Sequence, residues 1–132
     1  MSISVEECIF CIQKNCKIIY STKFFFVIRD TAYPVTKHHT LIVTRRHISD
    51  YFELEKIEIE DLNKILKEQK KELLILDKKI TGFNIGVNIG KDAGQSIMHC
   101  HIHLIPRRKG DVKDPQGGVR GVIPSKQKYN RK

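Results

Sequence analysis

The chain is predicted to be α+β, a five-stranded antiparallel sheet with one long helix and one short helical turn. Two observations carry this. Five short runs rich in β-branched, aromatic and other apolar residues are spread along the chain, and one stretch repeats leucine at helical spacing. Strand runs around a single helix fit an antiparallel sheet with the helix on one face.

The elements follow in order. Ile18–Tyr20 and Phe24–Ile28 flank the polar Ser21-Thr22-Lys23 and read as a hairpin. Asp30–His39 is a loop with Pro34 and two adjacent histidines, and Thr40–Thr44 is a third strand. Ser49 and Asp50 can cap a short helical turn. The long helix is expected from about Glu58 to Lys79. Leu62, Leu66, Leu73, Leu76 and Ile80 form its apolar stripe, Lys64, Lys67, Lys71 and Lys78 its solvated face, and Gly82 its stop. Phe83–Gly90 alternates apolar and polar residues as a fourth strand, Lys91–Ser96 is a turn, and Ile97–Ile105 is the fifth strand.

At 132 residues, with 40% hydrophobic and 30% charged, the chain reads as one folded domain over residues 1–132. No apolar run approaches the roughly 18 residues of a membrane span. The start, MSISVEECIF, lacks a basic residue before its apolar stretch, unlike a secretory signal. A cytoplasmic location is expected, with the four cysteines as reduced thiols or metal ligands. The net charge of +9 is concentrated after Pro106. Residues 107–132 hold nine basic residues and two acids, so this basic C-terminal segment points to anion handling more than to a basic chain as a whole.

Six histidines carry the strongest chemical signal. His99, His101 and His103 recur at every second position, so on a strand they share one face while Cys100, Ile102 and Leu104 share the other. Such a row suits either a metal ion or phosphoryl chemistry, in which a neutral imidazole is a nucleophile near pH 7. The neighbours favour the second. Gly94 lets backbone N–H groups approach an anion, Gln95, Ser96 and Asn88 add neutral donors, and Arg107 and Arg108 add positive charge. Cys8 and Cys11, in Cys-x-x-Cys spacing, supply half of a tetrahedral zinc shell.

The run GQSIMHCHIHLIPRR resembles the histidine triad (HIT) family, whose motif alternates three histidines with apolar residues. CIFC, HHTLIVTRRHIS, NIGKDAGQS, PRRKGD and the tail GGVRGVIPSKQKY look like HIT segments in the same order, the last like that of bacterial members. Asn88 matches the Hint-like branch and PRRKGD the Fhit-like branch.

This resemblance implies that His101, the middle histidine, is the nucleophile and forms a nucleotidyl-histidine that water hydrolyses. His103 would hydrogen-bond a phosphate oxygen, and His39 matches a further active-site histidine. Asn88, Gln95 and Ser96 match residues on the phosphate and leaving-group side. Asp30 lies beside the place of the ribose-contacting residue, and Arg107 would meet the distal phosphates. Some HIT-like proteins complete a Cys-x-x-Cys zinc site with the positions of His47 and His99, so a structural zinc on Cys8, Cys11, His47 and His99 is expected, with no organic cofactor. Cys16 and Cys100 are read as packing residues. Arg120 and Lys126 could close over the substrate, while Lys128, Arg131 and Lys132 form a solvated end.

The function implied is hydrolysis at the α-phosphate of a nucleotide, diadenosine polyphosphates favoured, by a homodimer paired through the long helix and a sheet edge. Nucleoside phosphoramidate hydrolysis or nucleotidyl transfer by the same His101 is the alternative. The rival of another class is a zinc-containing nucleic-acid-binding module. It loses ground because Tyr129 is the only aromatic after Pro106, where interleaved aromatics would be needed to stack bases.

Overall fold

In a computed structural model that describes residues 8–13 and 16–130, five strands and one long helix form the expected α+β fold. The reading of residues 1–7 and of Arg131 and Lys132 lies outside the described residues. The elements are α1 (Ile9–Ile12), β1 (Ile18–Ser21), β2 (Phe25–Arg29), β3 (Thr40–Thr44), α2 (Lys56–Leu76), β4 (Ile80–Gly86) and β5 (His101–Arg108). The sheet runs β1-β2-β3-β5-β4 with every neighbour antiparallel. Among the described residues no helix is long and apolar enough to cross a membrane.

The strand period puts two sets of side chains on opposite faces. Phe25, Val27, Ile42, Cys100 and Ile102 pack with Leu62 and Ile65 of α2, and Leu104 joins Leu73 and Ile80 beyond them. Phe26, Ile28, Leu41 and Val43 pack on the other face against Cys8 and Phe10. Covering both faces buries β2 and β3 almost throughout, which is why their sequences read as continuous apolar runs. Each fully buried core side chain stabilises by about 1.5–3 kcal/mol, so Leu73→Ala is a costly change.

The boundaries differ from the sequence expectation in four places. Helix α2 starts earlier, at Lys56, because the Glu58 carboxylate reaches back to accept the Glu55 N–H at 2.9 Å. It ends at Leu76, where Asp77 adopts an extended conformation and accepts from the Lys79 N–H at 2.9 Å. Gly82 therefore stops nothing and lies inside β4. The buried stripe of α2 is Glu58, Leu62, Ile65, Gln69 and Leu73, so Leu76 is exposed while a glutamine takes its share of the buried face. That glutamine is satisfied, since its Oε1 accepts from Arg29 Nη1 at 2.7 Å.

Strand β4 is shifted toward the helix, and β5 starts later and runs past Pro106. The proline is tolerated because β3 pairs with β5 only from His101 to Leu104. Beyond that, β5 keeps one neighbour, β4, so the absent N–H breaks no second ladder. The turn at Tyr51–Glu53 is capped as expected, with Asp50 accepting from the Phe52 N–H at 2.7 Å.

Candidate active site

Register places the histidines. His101 stands opposite Val43 and His103 opposite Leu41, so both rise from the face that Phe10 covers. His99 precedes β5, held there by the Cys100 N–H donating to Ile48 O at 2.6 Å. Phe10 lies edge-on to both His99 and His101, with centroids 5.7 and 5.2 Å away.

Backbone groups set the tautomer of each imidazole. His99 Nε2 donates to Thr44 O at 2.7 Å, which leaves its Nδ1 lone pair on the side of the cysteines. His101 Nδ1 donates to His99 O at 2.8 Å, which leaves the Nε2 lone pair outward and available for attack. His39 is buried, and its Nδ1 accepts from the Val35 N–H at 3.1 Å, so its proton is on Nε2. That proton is shared with His103 Nδ1 at 2.9 Å, and His103 then carries its own proton on Nε2 as an outward donor. Burial is the main force holding His39, His101 and His103 below the ordinary imidazole value. His103, which also faces His101 and His39, is down at about 4. All three are neutral near pH 7, the state that nucleophilic attack requires.

The loop before β3 is built around this pair. His38 adopts a left-handed conformation, φ 69°, and its carbonyl accepts from Thr40 Oγ1 at 2.8 Å, so the chain turns and His39 points inward. Asp30 accepts the Ala32 and Tyr33 N–H groups on Oδ1, while Oδ2 lies 3.8 Å from His39 Nδ1. Asp30 thus shapes the loop beside His39.

A second cluster sits at the start of β5. Cys8 is the N-cap of the single turn of α1 and Cys11 lies within it, a turn the sequence reading missed. Cys8 Sγ lies 3.2 Å from His99 Nδ1, Cys11 Sγ 3.0 Å from His47 Nδ1, and the two Nδ1 atoms are 3.2 Å apart. The four ligand atoms fall within 4.8 Å of one another. The donor set of two sulfurs and two imidazole nitrogens, with His99 Nδ1 left bare by its bond to Thr44, suits a soft divalent ion. Burial, reinforced by Cys8, pushes the Cys11 thiol up to about 11, so an ion must displace its proton on binding. Cys100 is a core residue whose thiol burial raises to about 12, and Cys16 packs at the edge of the Phe10 cluster.

The remaining candidates divide. Gln95 is buried and its amide is fully occupied. Its Oε1 accepts from the Gly90 N–H at 2.9 Å, and its Nε2 donates to Ser49 O at 2.9 Å and Ile97 O at 3.2 Å. It braces the β4–β5 connection in the loop that precedes the histidine row. Ser96 is exposed and Asn88 half-buried in the same connection. Arg107 is clamped to Asp111 at 2.8 and 3.0 Å and donates to Asn84 Oδ1 at 2.7 Å. Arg120 is likewise engaged within its own loop. It donates to Gln127 O at 3.2 Å and Lys126 O at 2.8 Å, and stacks over Tyr129. The basic segment is therefore a folded loop, and Arg120 is a brace within it. Of the backbone partners, only Thr44, 55 residues from His99, is set by long-range register; Val35 and the His99 carbonyl lie four and two residues from the imidazoles they orient.

The HIT domain profile matches residues 12–110. The nitrilase and fragile histidine triad fusion protein of Caenorhabditis elegans is 38% identical over 97 residues, 74% of this chain but 22% of that protein. The asymmetrical bis(5′-nucleosyl)-tetraphosphatase of Schizosaccharomyces pombe is 30% identical over 61% of this chain and 44% of its own length, so the chain spans less than half of each. A zinc-bound histidine triad family protein from Mycobacterium smegmatis superposes with TM-score 0.72 at 27% identity, covering 84% of this chain and 82% of that one. On its fold, its histidine row and this match, the chain belongs to the histidine triad family.

Proposed function

We propose that the chain hydrolyses nucleotides at the α-phosphate through a covalent nucleotidyl-His101, with dinucleoside polyphosphates as preferred substrates. The observation that carries this is the 2.8 Å bond from His101 Nδ1 to the His99 carbonyl, which aims a neutral Nε2 lone pair outward. Nε2 attacks phosphorus, the bond to the bridging oxygen breaks, and the distal nucleotide leaves with that electron pair. Water then attacks the same phosphorus, the P–N bond breaks, and the mononucleotide is released. The His103 Nε2–H donates to a non-bridging oxygen as charge develops there, and His39 holds His103 in that tautomer. Asn88 and Ser96 flank the phosphate, and Asp30 lies on the ribose side. The activity named for the fission-yeast relative supports the substrate class.

Zinc is the ion we assign to Cys8, Cys11, His47 and His99. It fixes the start of β5 and takes no part in the chemistry. The zinc-bound mycobacterial relative supports this. The free β4 edge, with Ile85 exposed on it and Ile75 exposed on α2, supports pairing of two copies. The free thiols support a reducing compartment, the cytoplasm.

Phosphorus NMR of diadenosine tetraphosphate, ADP and adenosine 5′-phosphoramidate, with the parent and His101→Ala, tests the reading. Turnover by the parent and none by the variant is expected. Phosphoramidate turned over faster than the dinucleotide would move the substrate class. DNA or RNA binding that survives His101→Ala, without turnover by the parent, would favour the nucleic-acid rival.

A further inference from the structure

The row on the histidine face of β5 continues beyond His103. Ile105 and Arg107 extend it at period two, and Ile105 stands opposite Asn84 of β4. Over this end the C-terminal segment folds back and walls one side of an open pocket of about 650 Å³, within the range of small-molecule sites. Val35, Ile105 and Val119 give it apolar walls, while Asn84 and Gln127 bring amides to its lining. Lys128 pairs with Asp114 at 3.6 Å and Arg107 with Asp111. Lys113 is the lining cation outside any ion pair among the described residues.

The outer wall is prebuilt. Gly117 has φ +89°, and a Cβ there would clash with Gln127 O, so the loop closes on itself where only glycine fits. Arg120 locks the same closure from outside. A ligand therefore does not have to order this wall on binding.

Ile105 is four residues from His101, about 13 Å along the strand. We propose that this pocket holds the leaving nucleoside, the base and ribose at the far end of the polyphosphate. The phosphate chain would run from His101 past His103, with Lys113 facing its distal charges. The apolar walls suit a flat base, and its polar edge would meet Asn84 Nδ2 and Gln127 Oε1, the amide atoms not taken by Arg107 and Gln116 O. Rejection of mononucleotides then comes from an unfilled pocket rather than from the histidines. This rests on His101 acting at an α-phosphate.

The test fills the pocket from its exposed side with Val119→Trp, and reverses its charge with Lys113→Glu. The reading is the ratio of kcat/KM for diadenosine tetraphosphate to that for adenosine 5′-phosphoramidate. A fall of about tenfold in the ratio for Val119→Trp and several-fold for Lys113→Glu is expected. A ratio unchanged in both overturns the pocket while leaving the hydrolase intact. If the parent turns over neither substrate, the hydrolase reading fails, and calorimetric titration with diadenosine tetraphosphate and with AMP decides the pocket. Val119→Trp must then weaken the first relative to the second by about tenfold; equal weakening, no weakening, or no binding of the dinucleotide by the parent sinks it.

Discussion

Strand β5 is anchored at both ends, by different chemistry. At its start, His99 is fully buried and its Nδ1 meets two thiols and a second imidazole contributed by two other segments. At its end, Arg108 forks to three acceptors. It donates to Asp77 Oδ2 at 3.0 and 3.1 Å, to Thr36 Oγ1 at 2.9 Å and to Lys37 O at 3.0 Å. The first anchor is a partly buried cluster of sulfur and imidazole donors, and the second is charge complementarity near the surface. Each reaches one histidine of the proposed site. The His99 end supplies the carbonyl that orients His101, and the Arg108 end ties down Thr36 and Lys37 beside Val35, whose N–H orients His39. The strand is therefore positioned twice, and the two supports should fail under different conditions.

The largest effect is expected at the first anchor. If the cluster holds zinc as proposed, Cys11→Ser would replace a thiolate by a poor ligand and leave three donors for the ion. An ion that binds only the folded chain adds its binding free energy to stability, about 4 kcal/mol at a thousandfold saturation. The variant should lose bound zinc and melt about 10–20 °C lower by calorimetry. Chelator should lower the parent to the same point and leave the variant unmoved. A parent whose melting ignores chelator breaks the contrast between the two ends.

Gln95 comes next, because it holds the approach to that anchor. Gln95→Glu places a carboxylate against the Ser49 and Ile97 carbonyls, to which the amide now donates. A buried group left without its partners costs about 1–3 kcal/mol, and more when charged. Urea unfolding should show a lower midpoint, with Gln95→Ala less affected than Gln95→Glu. The reverse order would mean that the amide is not donating to these carbonyls.

These cases also show what was legible beforehand. The pairing of His101 with His103 on one face is readable because a strand has period two; His99 lies just before β5 and is placed by its own bond to Thr44 O. The pairing of Cys8 and Cys11 with His47 and His99 came from a family resemblance and could not be read from spacing, since the partners are 36 to 91 residues apart. Boundaries failed where tertiary context overrode local signals. Pro106 is allowed because β3 has already ended, and Leu76 is exposed because Gln69 fills the buried stripe to meet Arg29. The sequence marks Gln95 as a polar residue beside the histidines, but its three loop partners are set by the fold and not by local pattern. The partners of Arg107 and Arg108, Asp111, Asn84 and Asp77, are likewise visible only in the fold.

Arg108→Ala should have a moderate effect, and a more specific one. It removes the clamp on Thr36 and Lys37, so the Val35 N–H no longer meets His39 as closely. A displaced catalytic group costs rate before it costs binding, so kcat should fall about tenfold with KM little changed. Arg108→Lys keeps the charge and cannot fork to three acceptors, so it should recover only part of the rate. An effect on KM alone would return Arg108 to the role of a substrate ligand.

The smallest expected effect separates the two anchors by acid. The Asp77 carboxyl is held below the usual carboxylate range, first by the Lys79 N–H and then by Arg108. A group whose value is lower folded than unfolded contributes stability above its unfolded value, near 4, and loses it as pH falls toward the folded one. With chelator present throughout, so that the cluster makes no difference, the parent should lose stability below about pH 4 more steeply than Arg108→Ala. The variant keeps some of this slope because the Lys79 N–H still holds Asp77 down. It should keep all of the slope due to Glu58, whose carboxyl is lowered at a distant site by Arg46. Melting curves of the two proteins should converge as the pH drops and diverge above it. Parallel curves would mean that the Arg108–Asp77 pair has no differential value in the folded state, and that the far end of β5 is held by the Thr36 and Lys37 bonds alone.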